Sequence, residues 1–188
     1  METLLASGEL PDSLREPREF QYTMAVHVLR PVLDGIRFDS NLQRKMLLEM
    51  EERTAGYAAW FEYMIPNSLM EKGGASPWWD SPAKLAHFLY KQLQITPVLD
   101  KKTKKPTTGG DAPKLIGQRE PLLKLICEKL DEYRSICLFI NVFLKAKPAP
   151  EDGRMRTQYK LTGTDTFRLA SSTDAFGYGL NLQNISKG

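Results

Sequence analysis

EPLLKLICEKLDEYRSICLFINVFL, residues 120–144, places Leu123, Cys127, Leu130, Tyr133, Cys137, Ile140 and Leu144 three or four residues apart. That recurrence is the 3.6-residue period of a helix with one apolar face. At about 1.5 Å per residue the helix would run roughly 35 Å. Cys127 and Cys137 are the two cysteines of the chain, and both fall inside this apolar pattern. A small buried thiol is what such positions ask for, and a disulfide scaffold or zinc finger has no support. Pro148 and Pro150 lie just beyond the helix and mark a change of architecture.

Working outward, a second long helix is expected after Asp39 or Ser40, either of which can cap it. Leu42, Met46, Met50, Tyr57, Phe61 and Met64 recur along it at helical spacing, and Pro66 with Asn67 ends it. An earlier helix is predicted over Glu19–Leu33, with Phe20, Met24, Val28 and Val32 a turn apart and Pro31, Asp34 and Gly35 closing it. EKGGASPWWD, residues 71–80, reads as a loop by its glycines. Ser81-Pro82 then opens a short helix to about Leu93, because proline suits the first helical position and serine accepts a free amide. Between Thr96 and Pro113 periodicity is lost, and a solvent-exposed connection is expected. Downstream, Arg154 to Thr164 alternates loosely and is rich in threonine, which predicts a strand joined to an extended tail. The fold class is therefore mainly α with a small β part, an elongated helical bundle followed by strand and loop.

Composition bounds the function. The 188 residues are 41% hydrophobic, enough for a core in one domain or two small ones. No run approaches the roughly 20 apolar residues that span a bilayer. The first residues lack the basic start and apolar run of an export signal, so a cytoplasmic protein with no membrane partner is expected. The net charge of +3 is too small to establish a nucleic-acid partner by itself. His27 and His87, the two histidines, each stand without a second ligand nearby in sequence, which leaves a His-based metal site or nucleophilic triad little to work with. Asp39, Glu49, Glu51 and Glu52 read as caps or solvated charges, and no catalytic or metal-binding residue is assigned.

Local clustering is more informative. Lys101, Lys102, Lys104 and Lys105, followed by Thr107, Thr108, Gly109 and Gly110, put ammonium groups, hydroxyls and flexible backbone amides into one loop. Such a loop suits phosphates, although clustered lysines also simply keep an exposed loop soluble. A surface of Trp78, Trp79 and Phe139 would serve a helical protein-interaction module that never meets nucleic acid.

The segment TFRLASSTDAFGYGLNLQNISKG, residues 166–188, resembles the TGRLSS...NLQNIP signature of family A DNA polymerases, through Arg168 to Ser172 and Asn181 to Ile185. Upstream, Gly153, Arg154, Thr157, Tyr159, Thr164, Thr166 and Arg168 are similar to the family's GRxHTxYxxxxTxTGRL. EYR at Glu132–Arg134, SPAKLAHFLYKQLQITPVLDKKTKKPTTGG and GIRFD at Gly35 resemble further family segments in the same order. Phe167 replaces a glycine, Leu138 stands where a second thumb lysine often follows Arg134, and Ser186 replaces a proline. TDAFGYG lengthens the link between the two signature halves, a form associated with viral members, which points to a phage source.

The resemblance implies a leader over residues 1–18, a helical thumb over 19–147 with a basic tip loop at about 96–113, and an incomplete start of a palm over 148–188. Arg168 and Gln183 would reach the minor groove near the primer terminus, with Asn181 and Asn184 beside the strands and Arg134 at primer phosphate. Thr164 and the four lysines complete the DNA-binding set. Such contacts check geometry without reading sequence, because minor-groove acceptors occupy similar places in every base pair. The family's catalytic aspartates and its fingers lysine and tyrosine lie in later motifs. This chain by itself is expected to hold primer-template DNA and not to polymerise, with Mg2+ and deoxynucleotides belonging to the complete enzyme in a bacterial or phage-infected cell. A non-catalytic subunit of a split polymerase, joined by a second chain with the fingers and remaining palm, is the alternative.

Overall fold

A computed structural model of the chain describes residues 12–160, 169–174 and 176–181. It is mainly helical with a small antiparallel sheet, as the residue pattern predicts. The helices are α1 (Asp12–Asp34), α2 (Ser40–Met64), α3 (Pro82–His87), α4 (Ala112–Arg119) and α5 (Lys124–Phe139). Both α3 and α5 run on into a wider π turn, Phe88–Gln92 and Ile140–Leu144. The backbone divides into two compact units, Arg44–Leu144 and the described parts of residues 1–43 with 145–188.

Side-chain chemistry sets several of the boundaries. The Asp39 carboxylate accepts the amides of Asn41 at 3.0 Å and Leu42 at 2.9 Å, capping α2. Ser81 Oγ accepts the Lys84 amide at 3.4 Å ahead of Pro82. α1 begins at Asp12 rather than Glu19, so it takes in part of the expected leader. Pro17, in the second turn, is accommodated because it removes only one ladder bond. Past the π turn of α3, Gln94 adopts φ +53, a left-handed position that favours glycine.

The core of the Arg44–Leu144 unit gathers around Phe61 and Trp78, both fully buried. Phe61 meets Trp60, Trp78, Trp79 and Tyr133 at ring-centroid distances of 5.3–5.7 Å. Leu85, Leu89, Ile116, Cys127 and Leu130 continue the cluster. Trp78 Nε1 donates to the Ile65 carbonyl at 2.9 Å, satisfying the indole where water is excluded. The buried Lys84 ammonium donates to the carbonyls of Gly74 and Ser76, both at 2.6 Å, and ties the 71–80 loop down. The expected contact surface is thereby corrected: Trp78 and Trp79 are core residues, because the loop folds inward over α2, and only the half-buried Phe139 remains of that trio.

Two more expectations change. The apolar stripe of α2 is fully buried only at Phe61, while Leu42 and Met64 are exposed, because the core cluster engages this helix through Tyr57, Ala58, Trp60 and Phe61 and reaches neither of those two. The stretch before Pro113 is not wholly an exposed connection: Thr108 is buried and α4 starts at Ala112, with Ala112, Pro113, Ile116 and Gly117 turned into the core.

In the other unit, Ile36 and Met155 exchange two backbone hydrogen bonds, of 2.7 and 2.9 Å. Arg156 Nε donates to the Leu33 carbonyl at the end of α1 while its other nitrogens hold Asp152. Strand β1 (Gln158–Lys160) pairs antiparallel with β2 (Ala170–Ser172), Tyr159 opposite Ser171. Gly179, at φ +85, lets its segment lie against Arg156: a Cβ there would stand 2.0 Å from the Arg156 carbonyl oxygen.

Candidate nucleic-acid interface

The lysine loop is an ordered hairpin rather than a slack connection. Its stem is closed by Thr107 N donating to Val98 O at 2.8 Å and Asp100 N donating to Lys105 O at 2.9 Å, with Leu99 bridged to Pro106. Within the tip, one Asp100 carboxylate oxygen accepts from Lys102 N at 3.0 Å, Thr103 N at 2.7 Å and the Thr103 hydroxyl at 2.9 Å. Those donors, led by the Thr103 amide, hold the Asp100 carboxyl below its usual range. Lys104 N donates back to the Asp100 carbonyl at 3.0 Å, which places Lys104 itself at φ +56. A lysine in that region carries strain of about 1–2 kcal/mol. Lys101, Lys102, Lys104 and Lys105 are all exposed on this turn.

Arg134 meets the foot of the hairpin. Its Nη1 donates to the Thr108 carbonyl at 2.5 Å, and the residue is half-buried on α5. Burial lowers its pKa, opposed by the negative field of Asp131, but an arginine so placed stays charged. On the same groove wall, the Tyr133 hydroxyl donates to Asp80 at 2.7 Å. Burial first, and this bond second, push the phenol far up. The groove between the 106–110 segment and α5 is lined by Trp79, Asp80, Thr108, Gly110, Arg134 and Leu138. It thus combines backbone amides, one arginine and two carboxylates, Asp80 and Asp131, that would repel a phosphate placed directly on them.

Five predicted residues are therefore brought together in one unit: the four lysines on the turn and Arg134 at its foot. Asn181 lies in the other unit, its side-chain oxygen accepting from the Ser171 hydroxyl. Thr164, Arg168, Gln183 and Asn184 fall outside the described residues. The sequence reading missed Asp100 and Tyr90, which shape and hold the hairpin. Asp100-x-x-Thr103 carries a recognisable turn signal, an Asp whose side chain bonds the backbone two and three residues on. Tyr90 offers none, since its partner lies 17 residues away. Among the described residues no cluster of three His, Cys, Asp or Glu side chains could hold a metal ion, and no helix is long and apolar enough to cross a membrane.

No family model matches the chain. In sequence it is 27% identical over 155 residues to the thermostable DNA polymerase I of Thermus filiformis, a match covering 80% of this chain and 16% of that protein. In structure it is similar, at TM-score 0.61 and 22% identity, to the POL domain of Pol1 from M. smegmatis, solved in complex with DNA primer-template and dNTP. That match covers 82% of this chain and 24% of the solved one, so the chain spans less than a quarter of either protein's length. Sequence similarity to a DNA polymerase I and a fold shared with a polymerase domain bear out the resemblance of this chain to family A DNA polymerases.

Proposed function

We propose that these residues grip primer-template DNA for a DNA-directed DNA polymerase, residues 19–147 acting as the thumb and 148–188 as the opening of the palm. The observation that carries this reading is the ordered hairpin: four ammonium groups within five residues, all exposed, on a turn fixed by its own backbone and by Asp100. Lysines on a braced turn are poised for a row of phosphates, which sequence-independent duplex binding requires. Arg134 stands at the foot of that row. Arg168, Asn181, Gln183 and Asn184 are assigned to the minor groove near the primer terminus on the strength of the matched signature. Template-directed nucleotidyl transfer would belong to the complete enzyme. Among the described residues no cluster of three His, Cys, Asp or Glu side chains is placed to hold its Mg2+. The fingers and remaining palm, on the same polypeptide or on a second chain, would supply nucleotide binding.

The test is fluorescence anisotropy with a primer-template across a salt series, comparing the chain with a variant carrying alanine at Lys101, Lys102, Lys104 and Lys105. Loss of four phosphate contacts would lower the log–log salt slope by at most about 3.6, at about 0.9 per contact. Affinity should fall alike for unrelated sequences. An unchanged slope would take the hairpin off the DNA.

A further inference from the structure

The hairpin is held from outside itself as well as from within. Tyr90, in the π turn that ends α3, donates its hydroxyl hydrogen to the Thr107 carbonyl at 2.5 Å. The next carbonyl, that of Thr108, accepts from Arg134 on α5. Two successive carbonyls on the returning leg are thus fixed from two different helices, while Thr107 N is tied across the stem to Val98. Val98 and Thr108 are buried and every residue from Lys101 to Pro106 is exposed, so the anchoring stops where the charged tip begins. Burial raises the Tyr90 pKa, which keeps the hydroxyl a donor through the neutral range.

We propose that Tyr90 is a positioning residue for DNA contact, whose hydroxyl holds the returning leg of the hairpin so that the four lysines meet the phosphates as a set. The proposal rests on the reading that the hairpin touches DNA. Four like charges within five residues repel one another, and an unbraced turn would splay and have to be ordered during binding. Bracing before the encounter removes that cost. Arg134 cannot serve as a clean probe because it is itself placed among the DNA contacts. Tyr90 lies behind the turn, and phenylalanine keeps its ring packing while deleting one donor.

The experiment uses Tyr90→Phe in the 188-residue chain, with and without the quadruple lysine-to-alanine change. It reads amide exchange at Lys104 and Thr107, primer-template anisotropy across salt, and the urea unfolding midpoint. Tyr90→Phe should speed exchange at these amides by about tenfold and weaken DNA binding about 3- to 10-fold, the size one hydrogen bond carries. It should also lower the salt slope by about one contact. In the lysine-free background it should leave residual DNA binding unchanged. Unaltered exchange would overturn the bracing. An equal affinity loss with and without the lysines would reduce Tyr90 to a general fold residue and overturn the proposal too. If the lysine-free chain binds as tightly as the parent while Tyr90→Phe still loosens the turn, then the bracing stands and the DNA contact is what fails.

Discussion

Phe61→Ala should be among the most damaging single truncations in the Arg44–Leu144 unit. Phe61 is 0% exposed and ringed by Tyr57, Trp60, Trp78, Trp79 and Tyr133 at centroid distances between 5.3 and 6.3 Å. Burying phenylalanine and then deleting its ring costs about 3–5 kcal/mol in general, the spread reflecting how far the cavity collapses. Collapse is poor here. The walls are flat rings with few rotamers, Trp78 is pinned through its indole to Ile65, and Tyr133 is pinned to Asp80. The upper end, about 4–5 kcal/mol, is therefore expected, a large share of the roughly 5–15 kcal/mol that holds an ordinary domain. With a urea m-value of about 1.5 kcal/mol/M, the midpoint would fall by about 3 M. All three tryptophans of the chain, Trp60, Trp78 and Trp79, belong to or pack on this cluster, so intrinsic fluorescence reads its unfolding directly. Phe61→Leu should lose less than half as much. A loss under about 2 kcal/mol for Phe61→Ala at unchanged m would refute the reasoning, by showing that the ring cluster closes over the gap or that stability resides elsewhere.

Two further expectations concern the other unit. Gly179→Ala should abolish the register in which Gly179 N meets the Lys147 carbonyl at 2.7 Å, since its Cβ would fall 2.0 Å from the Arg156 carbonyl oxygen and φ is +85; loss of amide protection at Gly179 and Leu180 is the readout, and native protection in the variant would contradict it. Asp152, held by the Arg156 guanidinium, has its pKa lowered from 3.8 to about 2. A depressed folded pKa means that this carboxylate stabilises above the unfolded value near 3.9, and that the contribution is lost as pH falls through about 2. Amide protection at Ile36 and Met155, followed between pH 5 and 2, should fall less steeply in Asp152→Asn than in the parent; parallel curves would show that the pair contributes nothing.

What the sequence made legible was chemistry that acts within a few residues. The apolar period of the 120–144 stretch predicted burial at seven positions; Cys127, Leu130, Tyr133, Ile140 and Leu144 are buried, while Leu123 and Cys137 are half-buried, so of the two thiols expected to be buried only Cys127 is. Asp39 and Ser81-Pro82 announced their helices because a cap is a contact with the next turn. α4 stayed hidden because its buried face, Ala112, Pro113, Ile116 and Gly117, mixes small residues with a proline and does not look apolar. Gly117 faces α5 closely, a Cβ there standing 3.3 Å from Lys124 Cα, and no local pattern signals a crossing of two helices. Trp78 and Trp79 were misread for a similar reason. Glycines marked the segment as a loop, which it is, but the loop is drawn inward by a buried lysine ten and eight residues away from the carbonyls it holds.

The same distinction separates the parts of the candidate site. Lysines announce charge, and nothing in their own sequence distinguishes a solvated loop from a prepared one. The order of this turn comes from Asp100, which organises the tip from within, and from Tyr90 and Arg134, which reach its base from helices 17 and 26 residues away. Lys104 in a left-handed conformation makes the distinction physical: an unconstrained lysine would leave that region, and it stays because the Asp100 carbonyl and the stem define the turn around it. A turn whose only task was solubility would gain nothing from such constraint, since ammonium groups hydrate equally well on a slack chain. Constraint becomes useful when several charges must meet a partner with fixed spacing, and a nucleic-acid backbone is such a partner.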